Sequence, residues 1–142
     1  MPQSGDDSYP QGDPPGSATA ITAESLYLAN LLLIPGIAFL ILVVIYYKQA
    51  DASPPLARAH LDQTFSASLW AGVLLVIVNL VILLLGGYDG AYTWMVVIIY
   101  FTVCHSSLIL IGMLGLAKAM AGKCYRYPLI GKALPDACRG MS

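Results

Sequence analysis

Residues 65–118 read FSASLWAGVLLVIVNLVILLLGGYDGAYTWMVVIIYFTVCHSSLILIGMLGLAK, and Asp89 is the one charged residue before the closing Lys118. A helix needs about 20 mostly apolar residues to cross the hydrocarbon core of a bilayer. Two such runs stand here, one on each side of GGYDG. In lipid a segment must satisfy its own backbone hydrogen bonds, so helices are the expected form. The alternation of a membrane barrel, with about ten residues per strand, is absent. The stretch therefore predicts two transmembrane helices, about 65–85 and 92–118, joined by a short turn.

Working outward, residues 25–47 also carry no charge and include LLLIPGIAFLILVVIYY. They predict a first transmembrane helix over about 26–47, kinked at Pro35-Gly36 because proline removes a backbone bond and crowds the preceding turn. The expected fold is an all-α membrane protein, with a three-helix bundle over residues 25–121. Residues 1–24, rich in Pro, Gly, Ser and Asp, bury too little apolar surface to offset ordering and read as a disordered tail. Residues 122–142 read as a basic cytoplasmic tail. Between the first two spans, Ser53-Pro54-Pro55 suits a helix start, and Arg58 and Asp62 are spaced to pair on one turn.

Composition agrees. Of 142 residues, 58% are hydrophobic and 11% charged, against about 45–50% and 25% in soluble domains. The net charge of −1 gives no reason to expect a nucleic-acid partner. The charges are sorted: Lys48, Arg58, Lys118, Lys123, Arg126, Lys132 and Arg139 all lie between the first two spans or after the third. The region before the first span holds Asp6, Asp7, Asp13 and Glu24 instead. Positive flanks stay in the cytoplasm. With three alternating spans, the N-terminus is expected outside and the C-terminus in the cytoplasm of a multi-pass protein of the bacterial cytoplasmic membrane.

Chemistry-bearing residues are few. His105 lies mid-helix within Thr102-Val103-Cys104-His105-Ser106-Ser107, and ionisable groups inside membrane helices are functional candidates by default. It suits a structural hydrogen bond, or a proton, metal or haem role. Zinc needs three or four ligands, and no Asp or Glu lies in an expected span. No metal, cofactor or catalytic residue is assigned. Thr64, Ser68, Ala71, Gly72 and Asn79 form a small and polar stripe at 100° per residue. Small-xxx-small pairs such as Ser68–Gly72 let membrane helices approach closely. The stripe is expected to pack on the face carrying Thr102, His105, Ser106 and Gly112, or to line a polar pathway in an oligomer. Cys104 is expected in the membrane and Cys124 and Cys138 in the reducing cytoplasm, so no disulfide is expected.

Two places resemble the DUF4870 family of small bacterial membrane proteins, described as Tic20-like. One is Arg58-Ala59-His60-Leu61-Asp62-Gln63-Thr64-Phe65, a histidine entry to a membrane helix. The other is Ala119-Met120-Ala121-Gly122-Lys123-Cys124-Tyr125-Arg126-Tyr127-Pro128-Leu129-Ile130, an Ala-rich end, a glycine and then Tyr-Arg-Tyr-Pro. The resemblance implies a small multi-pass bundle without an assigned activity. It marks His60, Tyr125, Arg126, Tyr127 and Pro128 as interface or motif positions. His60 is placed just below the inner headgroups, with Arg126 between tyrosines near lipid phosphate.

The functional expectation is a non-enzymatic accessory or scaffold component of the membrane. Its expected partners are the lipid bilayer and a membrane protein or further copies of the chain. The alternatives are a subunit of an oligomeric channel or transporter with a polar pathway near His105, and a haem or redox protein using His105.

Overall fold

The computed structural model describes residues 12–140, and among them the secondary structure is helical with no strand. Four helices follow one another: α1 over Ser17–Leu32, α2 over Ile37–Gln49, α3 over Pro55–Leu84 and α4 over Thr93–Met120. α4 is continuous through a π-helical segment, Tyr100–His105. α3 and α4 are each long and apolar enough to cross a membrane. At 1.5 Å per residue the 30 residues of α3 reach about 45 Å, beyond the roughly 30 Å of a hydrocarbon core.

The expected single helix over 26–47 is corrected to two antiparallel helices. Pro35 has no N–H to continue a helix, and Gly36 takes φ +86°, a conformation that glycine adopts without a steric penalty. The side-chain oxygen of Asn30 accepts from the Gly36 N–H at 2.9 Å, which closes the reversal. Ala23 and Ala50 then share one packed cluster with Leu42 and Leu61. A continuous helix would hold Ala23 and Ala50 about 40 Å apart. The two arms, of 16 and 13 residues, reach about 24 and 20 Å and so fall short of a bilayer core.

This hairpin is wedged into the larger helices. α1 starts beside the start of α3, with Gly16 against Pro54 and Ala57. Ala20 of α1 packs with Leu56 and Ala59 of α3 and with Ala119 near the end of α4. The starts of α1 and α3, the ends of α2 and α4, and the C-terminal segment therefore share one end of the bundle. Residues 17–24 are helical, which corrects the disordered reading of that part of 1–24. Residues 1–11 lie outside the described residues.

Small residues do bring helices together, but the partner differs from the expected one. A Cβ on Gly112 would lie 2.5 Å from the Tyr27 ring, and one on Gly115 would lie 2.5 Å from the Glu24 carboxylate. The glycine face of α4 thus receives α1, not the small stripe of α3. Of that stripe, Thr64, Ser68 and Ala71 are buried, while Gly72 is exposed. Beyond the hairpin tip the far halves of α3 and α4 present Leu75, Val76, Leu80, Leu84, Trp94 and Ile98 outward.

The C-terminal segment folds back on α3. Ser66 donates to the Ile130 carbonyl at 2.8 Å and Gln63 to the Lys132 carbonyl at 2.8 Å. That fold brings Cys124 and Cys138 to a Cα separation of 5.8 Å, where they form a disulfide, within the ordinary range for such bonds. The expectation of free thiols is corrected: it rested on compartment alone, and spacing in sequence does not reveal the fold-back. Arg58 and Asp62 pair as expected, at 3.1 Å. Ser53 does not cap α3; its hydroxyl donates to the Gln49 carbonyl at 2.7 Å.

Candidate functional site

Two places concentrate polar chemistry inside this apolar chain. The first lies at the shared end, where α1, α3 and the C-terminal segment meet. Glu24 and His60 are both 0% exposed and Tyr127 is 1% exposed. Nδ1 of His60 stands 2.6 Å from one Glu24 carboxyl oxygen, and Nε2 stands 3.0 Å from the Lys123 carbonyl. The Tyr127 hydroxyl donates to the other Glu24 oxygen. Gln63 receives the Tyr127 backbone N–H at 3.2 Å. Tyr27 stacks edge-on to Tyr127 at 5.8 Å and donates to the Leu108 carbonyl at 3.0 Å.

This arrangement fixes protons. A carbonyl only accepts, so Nε2 of His60 must carry hydrogen to bond Lys123. The contact between Nδ1 and Glu24 then holds one proton, shared by a carboxyl and an imidazole. Burial raises the Glu24 carboxyl above its ordinary range, while hydrogen bonds from His60 and Tyr127 oppose that. Burial and the neighbouring Glu24 also push the Tyr127 phenol up, so it remains a donor. Every polar atom of the Glu24 and His60 side chains has a partner, and these partners come from α1, α3 and the C-terminal segment. The cluster therefore clamps α1, α3 and the C-terminal segment around one buried proton.

Outside it lies a half-exposed ionic group. Tyr46 donates to Asp62 at 2.9 Å, and Lys132 reaches the Tyr46 hydroxyl at 3.0 Å and Asp62 at 3.6 Å. Arg58 bonds both Asp62 and Asp51. Among the described residues no group of three or more His, Cys, Asp or Glu side chains is placed to hold a metal ion.

The second place is a cavity of about 770 Å³ at the tip of the α1–α2 hairpin. Its walls come from the hairpin turn at Pro35 and Gly36, from α3 at Ser68 and Gly72, and from the π-helical segment of α4 at Tyr100 and His105. The Ser68 hydroxyl is buried and has no hydrogen-bond partner. The His105 ring meets Phe101 edge to face at 5.1 Å between ring centroids.

The residues singled out from sequence separate accordingly. Ser68, Gly72 and His105 meet at the cavity. Asn79 does not: it donates to the Leu75 carbonyl at 2.7 Å and accepts from Tyr88 at 2.6 Å. Ser106 donates to the Phe101 carbonyl at 2.9 Å, and Thr102 points outward. The motif positions split as well. His60 is fully enclosed by protein, and Tyr127 goes into the core beside it. Tyr125 is half-buried with its ring 5.7 Å from Tyr127, while Arg126 and Pro128 are exposed. Sequence reading missed Glu24, which it assigned to a solvated tail. The available signal was Glu24, Tyr27 and Leu28 at helical spacing, continuous with the apolar run.

The family model of the magnetosome magnetite crystal formation protein family, MamF/MmsF, matches residues 18–134. This corrects the DUF4870 (Tic20-like) resemblance: the matching family is a different one, and it spans both stretches on which that resemblance rested. No curated protein and no solved structure matches the chain.

Proposed function

The chain belongs to the magnetosome magnetite crystal formation protein family, and from that premise we propose that it is a non-enzymatic membrane component that assists magnetite crystal formation. The observation that carries the membrane part is the pair α3 and α4. Both are long and apolar, and their outward faces are Leu, Val, Ile and Trp. We read them as two spans, with the α1–α2 hairpin entering the same membrane to half its depth and leaving on the side it entered.

The seven cations support an orientation. In this topology all of them gather at the end shared by the start of α3 and the end of α4, while Asp89 lies at the other end. Positive flanks stay cytoplasmic. The shared end, with the described N-terminal residues, then faces the cytoplasm, and the Gly86–Tyr92 turn faces away from it. A scaffold role fits this plan, with the bilayer and other membrane proteins or copies of the chain as partners. The channel alternative gains no support: the side chains of Asn79 and Ser106 are taken up by local hydrogen bonds, to Leu75 and Tyr88 and to Phe101.

The test is genetic and structural together. Deleting the gene from a magnetite-forming cell is expected to change crystal size or number, with the tagged protein recovered in the membrane that encloses the crystals. Normal crystals in the deletion strain, or a protein recovered elsewhere, would remove the proposal.

A further inference from the structure

We propose that the loop over residues 125–131 is an interfacial anchor that seats Leu129 in the bilayer beside anionic phospholipid. The proposal rests on the two-span reading of α3 and α4. Leu129 is fully exposed, and among the described residues it is the one non-glycine residue with a positive φ, +65°. The Ile130 N–H donates to the Pro128 carbonyl at 2.7 Å, which makes a three-residue turn centred on the leucine, a rare and strained form. Such strain persists only where the surroundings fix the backbone. Here the Tyr127 N–H donates to Gln63 at 3.2 Å, the Gly131 N–H to the Tyr127 carbonyl at 3.1 Å, and the Ile130 carbonyl accepts from Ser66 at 2.8 Å. A large apolar side chain is thus held out from the fold on a backbone that suits glycine better.

The register of α3 gives the turn its depth. Counted back from Leu84 at 1.5 Å per residue, about 30 Å of hydrocarbon ends about 20 residues earlier, near Thr64. Ser66, which holds the turn, therefore stands at the edge of the hydrocarbon. Trp70, one helical turn farther along the same face, is half-exposed, and tryptophan favours this level. At that depth acyl chains, not water, cover Leu129. Lys123 and Arg126 precede it in the same segment. Both are exposed, and among the described residues no carboxylate pairs with either. Lys132, on the other side, is already held by Tyr46 and Asp62. Cations beside an apolar side chain at the headgroup level complement lipid phosphate, anionic lipid above all. A second copy of this surface would bring the same cations, and these repel.

The full chain, with Cys104 replaced by serine and the disulfide intact, is labelled at Pro128→Cys with a nitrobenzoxadiazole dye and reconstituted in phosphatidylcholine vesicles. Phosphatidylglycerol or phosphatidylcholine carrying a nitroxide near the top of the acyl chain is included at equal mole fraction. Both are expected to quench the dye, with phosphatidylglycerol associating about fivefold more strongly. Leu129→Gly keeps the backbone conformation and removes the side chain. It should reduce quenching to that of a label at Gly140→Cys. Lys123→Ala with Arg126→Ala should make the two lipids equal. A label at Val76→Cys, on the exposed face of α3, reports the span itself, with the nitroxide moved to the end of the acyl chain. Quenching at residue 76 with none at residue 128 would overturn the anchor and leave the spans. No quenching at residue 76 would remove both. Equal quenching by the two lipids with Lys123 and Arg126 in place would also overturn the proposal. So would shielding of residue 128 from iodide without lipid quenching, which would assign the loop to a contact between copies.

Discussion

Glu24 is fully enclosed, and its surroundings give it a sign. Burial raises its carboxyl above the ordinary 4.5, with the hydrogen bonds from His60 and Tyr127 opposing. A raised acid pKa means that the folded chain holds the proton more tightly than the unfolded chain does. Its contribution to stability is complete below pH 4.5 and is lost as pH rises through the folded-state value. Glu24→Gln cannot ionise, so melting temperature measured against pH should lose that decline in the variant. Parallel curves for the two proteins would show that Glu24 does not titrate in this way. His60→Ala is a harsher change. It leaves a carboxyl oxygen and the Lys123 carbonyl without partners, and breaking a buried pair typically costs about 3–5 kcal/mol.

At the scale of elements, the hairpin turn depends on the backbone conformation of one glycine. Gly36 has φ +86° and open space where a Cβ would stand. Gly36→Ala therefore tests backbone conformation without a steric clash. A loss of about 1–2 kcal/mol is expected, read as a lower denaturation midpoint in detergent; an unchanged midpoint would mean that the reversal does not depend on this conformation. The same turn explains which elements could be read from sequence. α3 and α4 were legible because hydropathy reports length and absence of charge, and both properties belong to a span. The start of α3 at Pro55 was marked by the paired prolines. The first element was misread because 26–47 has the length of one span but runs from one short helix, through a reversal, into a second. Hydropathy does not register a change of direction, and Pro-Gly serves a kink and a reversal alike. Within the site, His105 and Ser68 were found as polar residues in apolar helices. Glu24 was not, since its role depends on residues 36 and 103 positions away along the chain.

At the scale of the whole molecule, the hairpin changes what the charge pattern means. Three alternating spans would place Asp13 and Glu24 on the side opposite the cations. The hairpin returns the chain, so Asp13 precedes α1 at the cationic end and Asp89 lies at the far end. The disulfide bears on the same question from another direction. Cytosolic thiols stay reduced. The structure holds the Cys124–Cys138 pair in its oxidised form; in the proposed orientation a permeant maleimide added to intact cells is expected to trap the reduced form. A bond that survives trapping in intact cells would place the cationic end in an oxidising compartment. It would reverse the orientation but leave the two-span fold unchanged.

Two spans against three is the central claim, and side-specific labelling decides it most directly. Asp13→Cys, Asp89→Cys and Gly140→Cys are made singly in a chain whose three native cysteines are replaced by serine. Each is exposed to an impermeant maleimide before and after the membrane is opened. The account predicts that residues 13 and 140 label from one side and residue 89 from the other. Labelling of residue 13 together with residue 89, opposite residue 140, would restore the single first span and contradict the account.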